Sequence, residues 1–96
     1  MLKSTISEHH PERVGQRLVS MGVSYWQIND KTTSLELTEE GALLIQKAVK
    51  AGRLSRDFMI VPLGNLAAMY KEMGRDDKAQ EIADRVARLQ EETDQR

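Results

Sequence analysis

The chain contains no cysteine, which excludes disulfide staples and thiolate metal sites and leaves nothing that points to an oxidising compartment. Proline occurs only as Pro11 and Pro62, so long stretches are free to be helical. Aromatic side chains are scarce: Tyr25, Trp26, Phe58 and Tyr70. The core must therefore come mainly from Leu, Ile, Val, Met and Ala. The period-two alternation of β-branched residues that marks a half-buried strand is nearly absent. No apolar run approaches the roughly 20 residues of a membrane span. The first ten residues also lack an apolar stretch of signal-peptide length. The expectation is a cytoplasmic protein with no membrane partner. Lys and Arg are scattered through a chain of net charge −1, so nucleic acid is not an expected partner, because phosphate binding draws on a concentrated positive face.

What is present suits one domain. Ninety-six residues, 40% hydrophobic and 30% charged, make an ordinary globular balance. The spacing predicts four helices. The first runs from about Pro11 to Asn29, with Pro11 in the first turn, where its missing N–H costs nothing. Val14, Leu18, Met21, Tyr25 and Ile28 make one apolar stripe along it, and Val19, Val23 and Trp26 a second on another face. A helix apolar on two faces needs cover from two directions, or leaves one face for a partner. Asn29 to Ser34 reads as a polar connector. The second helix is predicted to start near Thr38 as N-cap, with Leu43, Leu44, Ala48 and Val49 as its apolar side and Gly52 as its stop. The third begins around Phe58 to Val61 and ends at Gly74, with Leu63, Leu66, Ala67, Tyr70 and Met73 inward. Asp76 or Asp77 caps the fourth, whose Ala79, Ile82, Ala83, Val86 and Leu89 oppose a polar face. On that face Glu81 with Arg85, and Asp84 with Arg88, are spaced for i,i+4 ion pairs. The predicted layout is a flexible segment over 1–10, a helical domain over 11–92 and a frayed end over 93–96.

The two halves repeat. Leu18 to Tyr25 aligns with Leu63 to Tyr70, so that Met21 matches Leu66, Gly22 matches Ala67, and the two tyrosines coincide; Gly41 to Ala48 aligns likewise with Ala79 to Val86. The segment from Asn65 to Leu89 resembles a tetratricopeptide repeat. Leu66, Ala67, Tyr70, Gly74 and Ala79 match that family's pattern of large, small, Tyr, Gly and Ala, with Ala83 and Val86 in looser agreement. Met21, Gly22, Tyr25, Gly41, Ile45 and Ala48 fit a first, divergent copy. It holds about seven more residues between its helices than the family's pattern, room for an elongated helix or a loop. The resemblance covers Glu12 to Leu89. It implies an all-α fold of antiparallel helix pairs stacked as a short α-solenoid, with small residues at close helix contacts and Tyr25, Tyr70 and Ile82 filling the space between pairs. Two repeats are fewer than the three or so that usually suffice. Leu2 and Ile6, or a second subunit, are the candidates to cover the N-terminal end.

The resemblance also implies a function and its site. Such domains bind a protein or peptide along the concave surface of each repeat's first helix. Carried over, those positions are Gln16, Val19, Val23, Trp26 and Gln27, then Val61, Gly64, Asn65, Ala68, Lys71 and Glu72. Val19, Val23 and Trp26 are expected as an apolar wall, Gly64 and Ala68 as a shallow floor, and Lys71 and Glu72 as a charged rim. The plainer reading of Trp26 is packing between helices one and three. Asn65 fits one place of the clamp with which some of these domains grip a C-terminal carboxylate, but Val19 and Val23 stand where that clamp needs polar groups. The expected role is thus a non-enzymatic adaptor that binds a partner peptide or helix. The alternative is a homodimer formed through the same apolar surface. No nucleophile with a base is legible, no phosphate loop, and no cofactor or metal site; adjacent His9 and His10 point in different directions.

Overall fold

The computed structural model describes residues 10–95. Four α-helices follow in order, α1 (Pro11–Gln27), α2 (Lys31–Lys50), α3 (Ile60–Glu72) and α4 (Asp76–Asp94), with a 3₁₀ turn (Arg56–Met59) leading into α3. There is no strand among the described residues. The helices pair as two hairpins, α1 with α2 and α3 with α4, and α2 joins the hairpins by packing on α3. The flexible segment expected over 1–10 lies outside the described residues except for His10, whose carbonyl accepts from the N–H groups of Arg13 and Val14. Its side chain makes no cap. At the other end α4 stays helical through Asp94.

The first hairpin is held by small residues. Buried Gly15 and Gly22 on α1 face Ser34, Thr38 and Gly41 on α2. The fit leaves no room for a methyl group: a Cβ at Gly22 would stand 2.2 Å from Thr38 Oγ1, and one at Gly41 2.6 Å from the Gly15 carbonyl oxygen. Ser34 Oγ donates to the Gly22 carbonyl at 2.6 Å, and Thr38 Oγ1 donates to the Ser34 carbonyl at 2.8 Å. Two fully buried hydroxyls are thereby satisfied. The larger core residues, among them Ile45, Met59, Leu63, Leu66, Tyr70 and Ile82, fill the space between the hairpins.

The predicted connector is instead a tight turn at Asn29 and Asp30 followed directly by α2, whose first turn takes up Lys31 to Ser34. Asn29 takes φ 69° and closes α1, with the Asp30 N–H donating to the Tyr25 carbonyl at 2.9 Å, the six-to-one bond of a Schellman stop. Asp30 then caps α2 by accepting from the Thr33 N–H at 3.3 Å. The seven extra residues lengthen a helix, and Thr38 is buried mid-helix rather than a cap. Gly52 and Gly74, both at φ 81°, close α2 and α3 in the same way as Asn29 closes α1. Pro62 falls in the first turn of α3. The cap of α4 is Arg75, without a side-chain bond, and Asp76 and Asp77 are in the first turn. Of the ion pairs predicted on α4, neither Glu81 with Arg85 nor Asp84 with Arg88 forms; Asp84 accepts from Gln80 instead.

The burial of α1 differs from its predicted stripes. Its buried residues are Gly15, Val19 and Gly22, because the glycines allow the closest approach to α2. Met21 and Ile28 are exposed, and Val14, Leu18 and Tyr25 half-buried. Tyr25 therefore lies outside the core that its partner in the repeat, Tyr70, helps to form. Leu43, predicted inward on α2, is 50% exposed, while Ala42 and Ile45 take its place.

Candidate functional site

Helices α1 and α3 each turn one side to the same hollow. Val23 and Trp26 come from α1; Asn65, Ala68, Met69 and Glu72 come from α3; the space between them is about 170 Å³. Asn65, Ala68, Met69 and Glu72 recur at three- and four-residue steps and so share one side of α3. Val23 and Trp26 stand three apart on α1, on the flank next to its glycine seam. Val23 is exposed and Trp26 half-buried. The ammonium of Lys31 lies 5.2 Å from the centre of the Trp26 ring, within cation–π range. The lining is thus apolar on the α1 side and in its floor, with an amide from Asn65 and a carboxylate from Glu72 at the edge.

Five of the predicted site residues meet here: Val23, Trp26, Asn65, Ala68 and Glu72. Val19 does not. It is 7% exposed, packed on Gly41, and belongs to the hairpin core. The predicted apolar wall is therefore Val23 and Trp26 alone. Gln16 and Gln27 are exposed and stand outside the hollow. Lys71 lies on the seam between α3 and α4, in a depression that it shares with Ala67, Ala68, Asp76 and Gln80. Met69 and Lys31 are additions that sequence reasoning missed. The Met69 signal was present, four residues on from Asn65; its sulfur lies 3.8 Å from Ser34 Oγ, joining the hollow's floor to the glycine seam. Lys31 was hidden because its helix was read as a connector.

A larger hollow, about 470 Å³, opens between the C-terminal half of α2, the 3₁₀ turn and α4. Lys50, Arg56, Arg85 and Arg88 surround its apolar floor of Val49, Met59 and Leu89, and Arg56 is paired with Glu92 at 3.1 Å. Its cationic groups are all exposed.

Two titrating groups are shifted. Burial, then its hydrogen bond to Glu39, raises the Tyr70 hydroxyl above the ordinary tyrosine value. A hydrogen bond from its own backbone N–H, followed by the Arg53 guanidinium at 3.3 Å, lowers the Glu12 carboxyl. Neither group lines the α1–α3 hollow. No group of three or more His, Cys, Asp or Glu among the described residues is placed to hold a metal ion, and no helix among them is long and apolar enough to cross a membrane. No protein-family model matches the chain, and neither a curated protein nor a solved structure matches it.

Proposed function

We propose that the chain is a protein-interaction module of the tetratricopeptide-repeat kind, a cytoplasmic adaptor without catalytic activity that binds a partner peptide or helix between α1 and α3. The observation that carries this reading is the meeting of Val23 and Trp26 with Asn65, Ala68 and Glu72 around one hollow, at positions chosen from sequence alignment alone. An aromatic anchor beside a floor of Ala68 and Met69, with a polar edge, is the make-up of a pocket that takes one apolar side chain and orients the backbone around it. At about 170 Å³ the hollow suits one inserted side chain. It is a poor match to the broad, flat contact of self-association through the same surface, and this favours a different protein as its occupant.

Trp26 is the chain's single tryptophan, so its fluorescence reports directly on the hollow. A displayed library of random peptides, selected against the full chain, should yield binders that shift Trp26 emission. Trp26→Ala and Ala68→Glu should each weaken those binders by about tenfold or more, the usual loss on removing or blocking a central anchor, with helicity nearly unchanged because both sites are at least partly exposed. Binders that tolerate both substitutions would remove the hollow from the account.

A further inference from the structure

One long face of the first hairpin has no cover among the described residues, and we propose that a second copy of this chain covers it, with α1 of each copy lying over α2 of the other. Helix α1 has three sides accounted for: Gly15, Val19 and Gly22 face α2, Val23 and Trp26 face the α3 hollow, and Ser20 and Ser24 face outward. The remaining flank carries Val14, Leu18, Met21 and Tyr25, and it continues on α2 through Leu37 and Leu44. Leu44 borders the seam, with its Cβ 3.1 Å from where a Cβ on Gly15 would stand, on the side of α2 away from Ala42 by helical spacing, and Leu37 lies two turns away on the same side. Met21 is 40% exposed, and the other five are only half-buried. Among the described residues, the only extensive partner of α1 is α2.

The charges choose the occupant and its orientation. Beyond Glu12, which is tied to Arg53, α1 carries only Arg13 and Arg17, and α2 bears Glu36 and Glu40 beside the same flank. The helices run antiparallel with Gly15 level with Gly41 and Gly22 level with Ser34. Arg17 is therefore level with the stretch between Glu36 and Glu40, and Lys47 falls level with a point beyond the start of α1. A two-fold axis parallel to the helices sets each α1 over the partner's α2, so that Arg17 meets the partner's glutamates. A two-fold axis across the helices would instead lay α1 on α1 and α2 on α2 in reverse, which brings no arginine of α1 over a glutamate of α2. Only the first arrangement is self-complementary in both apolar surface and charge.

The size is consistent with reversible pairing. The 17 residues of α1 span about 26 Å, and two adjacent helices present a width of about 20 Å. That gives on the order of 1,000 Å² buried in total, close to the lower bound for a specific interface. The face is on the other side of α1 from the hollow assigned to a partner peptide, so the two proposals stand or fall separately.

Sedimentation equilibrium of the full chain, from about 1 μM to about 1 mM, tests this. A monomer–dimer equilibrium is expected. Arg17 is exposed, so Arg17→Glu should keep its helicity while weakening the dimer by at least about tenfold through like-charge contact. Arg17→Glu combined with Glu40→Arg should restore it, and Trp26→Ala should leave it unchanged. A monomer at every concentration would overturn the proposal, as would a dimer indifferent to Arg17→Glu or one lost with Trp26→Ala. A chain that dimerises only after residues 1–9 are removed would assign the face to that segment and overturn it too.

Discussion

Glycine at residue scale has opposite meanings in α1 and α3. At Gly22 an added Cβ would collide with Thr38 Oγ1 and press on the Ser34 carbonyl at 3.1 Å; at Gly64 nothing lies within 4 Å. Replacing a helical glycine with alanine gains about 0.8–1.0 kcal/mol in propensity. Gly64→Ala should therefore stabilise the fold by up to about 1 kcal/mol. Gly22→Ala should destabilise it by about 1–3 kcal/mol, since overpacking and displacement of a hydrogen-bonded threonine exceed that gain. Chemical denaturation of the two variants measures both signs, and a stabilising Gly22→Ala would mean that the hairpin is not so closely packed. In the sequence the repeat alignment set Gly22 at a close helix contact and Gly64 on the floor of the groove, without the distances that fix the sign of each substitution. The difference lies in what stands opposite.

The turn between α1 and α2 is the part of the fold least legible at element scale. Asn29-Asp30 closes one helix and caps the next with no intervening loop, using an asparagine at φ 69° where Gly52 and Gly74 serve elsewhere. Glycine at the other two stops was readable because it is the common residue there. Asparagine followed by a polar run was compatible with a loop as well. Asn29→Gly should be neutral or slightly stabilising. Asn29→Val should cost about 1–2 kcal/mol, the penalty of forcing a branched L-residue into the left-handed region. Thermal or denaturant unfolding reads both, and equal stability of the two variants would argue for a longer, irregular connection. The apolar stripes of α1 were also correctly spaced, but spacing alone did not order them by burial. The stripe with more large residues is the outer one, because closest approach to α2 rests on the glycine face.

At the scale of the whole molecule, the hairpins meet through α2 and α3, and Tyr70 is the residue that fastens this junction. It is 4% exposed, belongs to the core, and donates its hydroxyl to Glu39 on α2. Tyr70→Ala should cost about 3–5 kcal/mol, as large aromatic truncations do, and Tyr70→Phe about 1 kcal/mol for the lost bond. The raised hydroxyl also sets an alkaline limit. The unfolded chain releases this proton near pH ~10, whereas the folded chain holds it longer. The stabilising contribution is thus complete below that pH and is lost as pH rises through the folded-state value. Denaturation midpoints measured from neutral pH to about 11 should fall at the alkaline end in the wild type, and less steeply in Tyr70→Phe. Equal slopes would mean that Tyr70 is not the group responsible. The molecule is a thin slab, 41 × 38 × 17 Å, little more than one helix diameter deeper than a single helix layer. Among the described residues, a shape this thin leaves the outer stripe of α1 uncovered.

The sequence by itself determined the all-α class, the pairing of helices, the stops at Gly52 and Gly74, the core role of Leu63, Leu66, Tyr70, Ala79 and Ile82, and most of the α1–α3 hollow. These follow from period, turn chemistry and an internal repeat, all local properties of the chain. Tertiary structure alone decided which flank of α1 is inward, that Val19 belongs to the core and Lys71 to another seam, and that Leu43 is exposed where Ala42 is buried. Those outcomes depend on the distance of approach between helices. Gly15, Gly22 and Gly41 set that distance together with Ser34 and Thr38, residues far apart in the chain whose fit exists only once the two helices are face to face.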